Sequence, residues 1–135
     1  MNLGDNVSKL WDKRDRMTKI MLAEDDGDMR RFLAKALEKA GHEVVSYAEG
    51  NSAFEALKSM SVDLLLTDIV MPEMDGIELA RRGAELDPGM KIMFITGFAA
   101  VALNPDSQAP KDAKVLSKPF HLKDLVAEVE KMMAA

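Results

Sequence analysis

The chain contains no cysteine, which excludes both a disulfide framework and a thiolate metal centre. It has no apolar run near the roughly 20 residues a spanning helix needs, so membrane insertion is not expected. Its start lacks the apolar block of a signal peptide. These absences fit a reducing, cytoplasmic setting. There is no excess of positive charge either: the formal net charge is -5, which would repel a nucleic-acid backbone and argues against DNA binding. No internal repeat and no low-complexity tract interrupts the chain. Histidines number two; His42 follows a helix-ending glycine and His121 precedes the last helix, so surface or capping roles are expected for both. What remains is ordinary: 135 residues, 47% hydrophobic and 30% charged, enough for one domain with its own core.

From Lys19 onward, apolar runs alternate with helical patterns. "KIMLA" reads as a strand ending in Glu24-Asp25-Asp26. Met29, Phe32, Leu33, Ala36, Leu37 and Ala40 then share one helical face, closed by Gly41. "EVVSYA" is a second strand, and Ser52 with Glu55 has capping-box spacing ahead of Phe54, Leu57 and Met60. "VDLLLTD" is a third, after which Asp75 and Glu78 open a helix through Arg82. "KIMFIT" and "KVLS" are the fourth and fifth, and Leu122, Leu125, Val126, Val129 and Met132 form the stripe of a final helix. Strands separated by helices imply a parallel sheet with right-handed crossovers and helices on both faces. One link breaks the alternation. In "GFAAVALNPDSQAPKD", Pro105 and Pro110 leave room for little helix beyond Phe98 to Leu103; the segment is a connector or an altered partner surface.

In an open parallel sheet, chemistry collects beyond the carboxyl ends of the strands. Those ends carry Glu24, Asp25, Asp68, Thr96, Ser117 and Lys118. The stretch "LLLTDIVMPEMDG" aims its most apolar strand at Asp68 and turns away at once. An aspartate there can simply accept turn amides, and each of the others alone has an equally plain structural explanation. Together they bring three carboxylates, two hydroxyls and an ammonium to one rim. Crowded carboxylates repel, and a hard divalent cation relieves this; magnesium suits a site with few direct carboxylates. A carboxylate beside such a cation can attack phosphorus to give an aspartyl phosphate. Lys118 and Thr96 would then meet the phosphoryl oxygens.

The elements "LAEDD", "LLLTDIVMPEMDG", "FITG" and "LSKPF", in that order and at those distances, resemble the receiver domains of two-component response regulators. The resemblance runs from Lys19 to about Met133. It implies an α/β, flavodoxin-like fold with strand order 2-1-3-4-5 over residues 18–135, here with an irregular or shortened fourth helix. It further implies magnesium on Asp25, Asp68 and the Val70 carbonyl, with Glu24 acting through a water. Asp68 would take a phosphoryl group from a histidine kinase or histidine phosphotransferase, and Thr96 and Lys118 would sense it. Phe98, Val115, Pro119 and Phe120 fall at switch and interface positions. Val115 departs from the family, which usually carries an aromatic switch residue there.

Among receivers, "TGFAA", the proline-bearing loop and "VLSKPFHL" are most similar to the CpdR type, associated with regulated proteolysis as an adaptor for the ClpXP protease and its substrates. No output domain follows the receiver pattern, so action through protein–protein contact is expected. The alternatives are a phosphorelay intermediate or phosphate sink, and, in another class, an Asp-nucleophile phosphatase. Phosphatases of the haloacid dehalogenase type need a second aspartate where Val70 stands. A flavin carrier on this fold would need a phosphate cradle where Glu24-Asp25-Asp26 would repel one. Residues 1–17 read as a flexible extension or a short amphipathic helix. The small apolar end, Ala134 and Ala135, is either a frayed helix end or a degradation signal.

Overall fold

The computed structural model describes residues 17–134. Ten elements alternate: β1 Lys19–Ala23, α1 Gly27–Lys39, β2 Glu43–Tyr47, α2 Gly50–Leu57, β3 Leu64–Asp68, α3 Gly76–Leu86, β4 Lys91–Thr96, α4 Ala99–Leu103, β5 Lys114–Ser117 and α5 Leu122–Ala134. The strands form one parallel sheet in the order β2-β1-β3-β4-β5, as the sequence implies. No helix among the described residues is long and apolar enough to cross a membrane.

The two-residue period of the strands divides the interior into two cores. Ile20, Leu22, Leu64, Leu66, Met93 and Ile95 face α1 and α5, meeting Leu33, Leu37, Leu125 and Val129. Met21, Ala23, Leu65, Ile92 and Phe94 face the other way, toward Ala53, Leu79 and Ala80 of α2 and α3. β3 is central and buried along its whole length. Each large side chain so enclosed contributes roughly 1.5–3 kcal/mol, so the strand that ends at Asp68 has little freedom to move.

Helix ends follow local chemistry. Asp26 caps α1 by accepting the Met29 N–H, and Asp75 caps α3 by accepting the Glu78 N–H. Gly41 takes φ +99° just past α1, where a side chain would be strained. Four details differ from the sequence reading. Glu49, not Ser52, stands at the N-cap of α2 and makes no side-chain cap bond; Ser52 lies inside the first turn, so the capping-box spacing is coincidental. Phe32 is exposed, because the core-facing stripe of Met29, Leu33, Ala34 and Leu37 is centred more than about 100° round the helix from it. α3 continues to Leu86 rather than stopping at Arg82. His42 is buried, with Nε2 3.1 Å from Glu130 Oε1 on α5, rather than on the surface. α4 has five residues and none is buried, as the prolines beyond it require.

Candidate functional site

Parallel strands place their carboxyl ends on one rim, and that rim gathers the predicted residues. Glu24, Asp25 and Asp68 each bring a carboxylate oxygen within 4.8 Å of the others. Lys118 Nζ lies 3.1 Å from Asp68 Oδ2 and 3.6 Å from Glu24 Oε1. Glu24 and Asp68 are buried, while Asp25 is exposed at the mouth.

The tip of β3 is held from several sides. Asp68 Oδ1 accepts the Ile69 N–H at 2.7 Å, and Thr67 Oγ1 donates to the Asp68 carbonyl at 2.8 Å. The Gly76 N–H donates to the Ile69 carbonyl at 2.8 Å and brings α3 back against the strand. A Cβ at position 76 would stand 1.8 Å from the Asp68 carbonyl oxygen, so the glycine of "MDG" is there for close approach. The Lys118 N–H donates to the Thr96 carbonyl at 2.8 Å, which ties the end of β5 to the end of β4 and delivers the lysine.

Electrostatics separates the carboxylates. Burial, followed by the neighbouring Asp68 charge, pushes the Glu24 carboxyl up to about 7, with Lys118 pulling the other way. Burial also works against the Lys118 charge. Its hydrogen bond to Asp68 and the charges of Glu24 and Asp68 outweigh that, and hold the ammonium above its usual range. Glu24 Oε2 is buried without a hydrogen-bond partner. A glutamate with an orphaned carboxylate oxygen, grouped with two further carboxylates, is a donor set that fits a hard divalent cation such as magnesium.

Thr96 is fully buried, and its Oγ1 accepts the Phe98 N–H at 2.9 Å, leaving the hydroxyl proton for another acceptor. Ser117 is exposed. Val70 and Phe98 are exposed by 55% and 60%, so two apolar side chains are open to solvent in the loops that follow Asp68 and Thr96. Val115 is half-buried and packs with Ala102, Ala109 and Ala113 against the core. Pro119 is exposed behind a cis peptide bond, and Phe120 packs into the core beneath α1 and α5. His121 is exposed, its carbonyl accepting the Asp124 and Leu125 N–H groups at the start of α5. Ala134 is exposed at the end of that helix. Ala135 and residues 1–16 lie outside the described residues.

Two polar contacts at this end escaped the sequence reading. Arg30 Nη1 donates to the Glu24 carbonyl at 2.7 Å; a cation in the first turn of a helix opposes the macrodipole, and that misfit was the available signal. Asn51 donates to Glu73, whose φ is +65° in the β3–α3 loop; no local pattern marks that pair.

Comparison with known proteins gives consistent results. The model of the response regulator receiver domain matches residues 20–130. The chain is 72% identical over 119 residues to the response regulator receiver protein CpdR of Brucella abortus (strain 2308), covering 88% of this chain and 99% of that protein. It is 36% identical over 118 residues to the sensor kinase CckA of the same organism, covering 84% of this chain but 12% of the kinase. The crystal structure of a response regulator receiver protein from Sinorhizobium medicae WSM419 superposes with TM-score 0.77 at 28% identity, covering 89% of this chain and 97% of that one.

Proposed function

The chain belongs to the response regulator receiver domain family, and from that premise we propose that Asp68 accepts a phosphoryl group and that its phosphorylation state selects protein partners. The observation that carries this reading is the carboxylate on a rigid, buried strand tip with the Lys118 ammonium 3.1 Å away. The donor is a phosphohistidine of a histidine kinase or phosphotransferase. An Asp68 carboxylate oxygen attacks phosphorus, a P–O bond forms, and the P–N bond to the imidazole breaks. The bonding pair returns to the ring nitrogen, which takes its proton from solvent. Lys118 moves its ammonium from the carboxylate to the phosphoryl oxygens, and the Thr96 hydroxyl donates to another of them.

Asp25, Asp68 and the Val70 carbonyl would hold magnesium, with Glu24 acting through a water. When bound, the ion neutralises the crowded carboxylates and the charge developing on the phosphoryl oxygens. The chain's own contribution is placement: β3 fixes the nucleophile, and the turn after β5 brings the cation.

Similarity to CpdR supports the finer reading. The unphosphorylated protein serves as an adaptor that presents substrates to the ClpXP protease, and phosphorylation withdraws it. Intact-mass measurement after incubation with acetyl phosphate and magnesium should add one phosphoryl group to the native protein and none to Asp68→Ala. Immobilised ClpX should retain the unphosphorylated protein and Asp68→Ala, and release the phosphorylated form. Equal phosphorylation of Asp68→Ala overturns the assignment of the acceptor; retention that ignores phosphorylation overturns the adaptor reading.

A further inference from the structure

Arg30 sits in the first turn of α1, where a cation faces the positive end of the helix dipole. Its side chain is half-buried and folds back over six positions to donate from Nη1 to the Glu24 carbonyl at 2.7 Å. That carbonyl lies just past β1, whose last paired residue is Ala23. The Glu24 N–H is already bound to the Tyr47 carbonyl of β2 at 3.1 Å. Glu24 is therefore tied through both of its backbone groups, one to the sheet and one to α1.

The second tie governs the next residue. A peptide unit is planar, so holding the Glu24 carbonyl also holds the nitrogen of Asp25 and the direction in which its Cα leaves. Asp25 is exposed at the mouth of the site, while Asp26 is committed to capping α1. Between a buried glutamate and a capping aspartate, the orientation of the Glu24–Asp25 peptide decides whether the Asp25 carboxylate meets Asp68 or turns to solvent.

We propose that Arg30 is a positioning residue for the cation site: it fixes the Glu24–Asp25 peptide so that Asp25 is pre-aimed at the Asp68 carboxylate. This rests on the reading that Glu24, Asp25 and Asp68 bind magnesium. It carries a sign that separates geometry from charge. A guanidinium beside a cation site repels the cation, so if charge alone mattered, its removal would tighten magnesium. If it positions Asp25, its removal weakens magnesium.

The test is magnesium affinity of the full chain by calorimetry, with hydrogen exchange at residues 24–27 in the metal-free protein. Arg30→Met keeps the apolar stem and loses donor and charge; it should weaken magnesium about tenfold, the scale of losing a group that orients a metal ligand. Exchange at the Glu24 amide, which is bonded to the Tyr47 carbonyl, should quicken. Arg30→Lys keeps a donor and a charge and should restore most of the affinity. Tighter magnesium in Arg30→Met overturns the proposal in favour of a charge effect. Unchanged affinity with only a lower melting temperature overturns it in favour of a purely structural role. Asp68→Asn separates the two levels: if the native protein binds no magnesium, or Asp68→Asn binds it equally well, the metal reading itself falls and this one with it.

Discussion

At the scale of single residues, the rim is balanced by one ammonium set against two buried carboxylates. Lys118 reaches both Asp68 and Glu24, and burial together with the Asp68 charge raises the Glu24 carboxyl. The crowding of carboxylates expected from the sequence is present, and the geometry adds the Lys118 ammonium beside Asp68 and Glu24. Lys118→Met should therefore lower the stability of the metal-free protein by about 1–2 kcal/mol, a buried-pair loss discounted for partial solvent access. Magnesium should recover part of it, since ligand binding favours the native state. Thermal melts in chelator and in magnesium check this, and equal melts of native and variant would show that the lysine does not offset the acids. Val70 and Phe98 are apolar and exposed, so neither can hold a water for attack on an aspartyl phosphate. Replacing both, as Val70→Asn with Phe98→Glu, should speed loss of the phosphoryl group by about tenfold, a modest return for an imperfectly placed water-orienting group. Following the decay of the phosphorylated species by mass decides it.

At the scale of elements, the joint between β3 and α3 and the short α4 behave in opposite ways. α3 starts against the Asp68 carbonyl, where position 76 has no room for a side chain. Gly76→Ala should displace either the helix start or the strand tip and cost at least about 3 kcal/mol; denaturant melts measure it. α4 buries no residue, and Phe98, Val101 and Leu103 are exposed along it. It is joined to the site by the Phe98 N–H on Thr96 Oγ1, so a threonine drawn toward a phosphoryl group pulls on the first residue of that segment. Hydrogen exchange across residues 98–110 should slow in the beryllofluoride-bound protein; slowing confined to the loops after β1 and β3 would remove this route. These elements also show what sequence can report. Apolar alternation and the prolines after α4 made the five strands and the truncated helix readable, because both signals are local. The environment of His42 was not readable, since Glu130 lies 88 positions away and joins it only once α5 has docked. The true start of α2 was hidden for a similar reason. Gly50 stands there because a Cβ would come 2.4 Å from the Met74 carbonyl oxygen, a neighbour supplied by another loop.

At the scale of the whole molecule, both cores are built, among the described residues, from positions 20 to 133. A chain beginning at Met17 should match the full one in stability to within about 0.5 kcal/mol, and in magnesium response; paired melts test this, and a larger loss would show that residues 1–16 contribute to the fold. The candidate rim was legible because five strands point the same way, so strand-end residues scattered through the sequence had to converge. The tethers that aim them were harder to read, because a cation in the first turn of α1 is the one mark that Arg30 leaves, and the Glu24 carbonyl it holds leaves none. The depth of β3 has a further consequence for how such a chain can change over generations. Substitutions in the thinly packed stretch around α4 remodel an outer surface without disturbing the strand that carries Asp68. Lineages can therefore exchange one binding surface for another while the rim of carboxylates and its lysine is inherited intact.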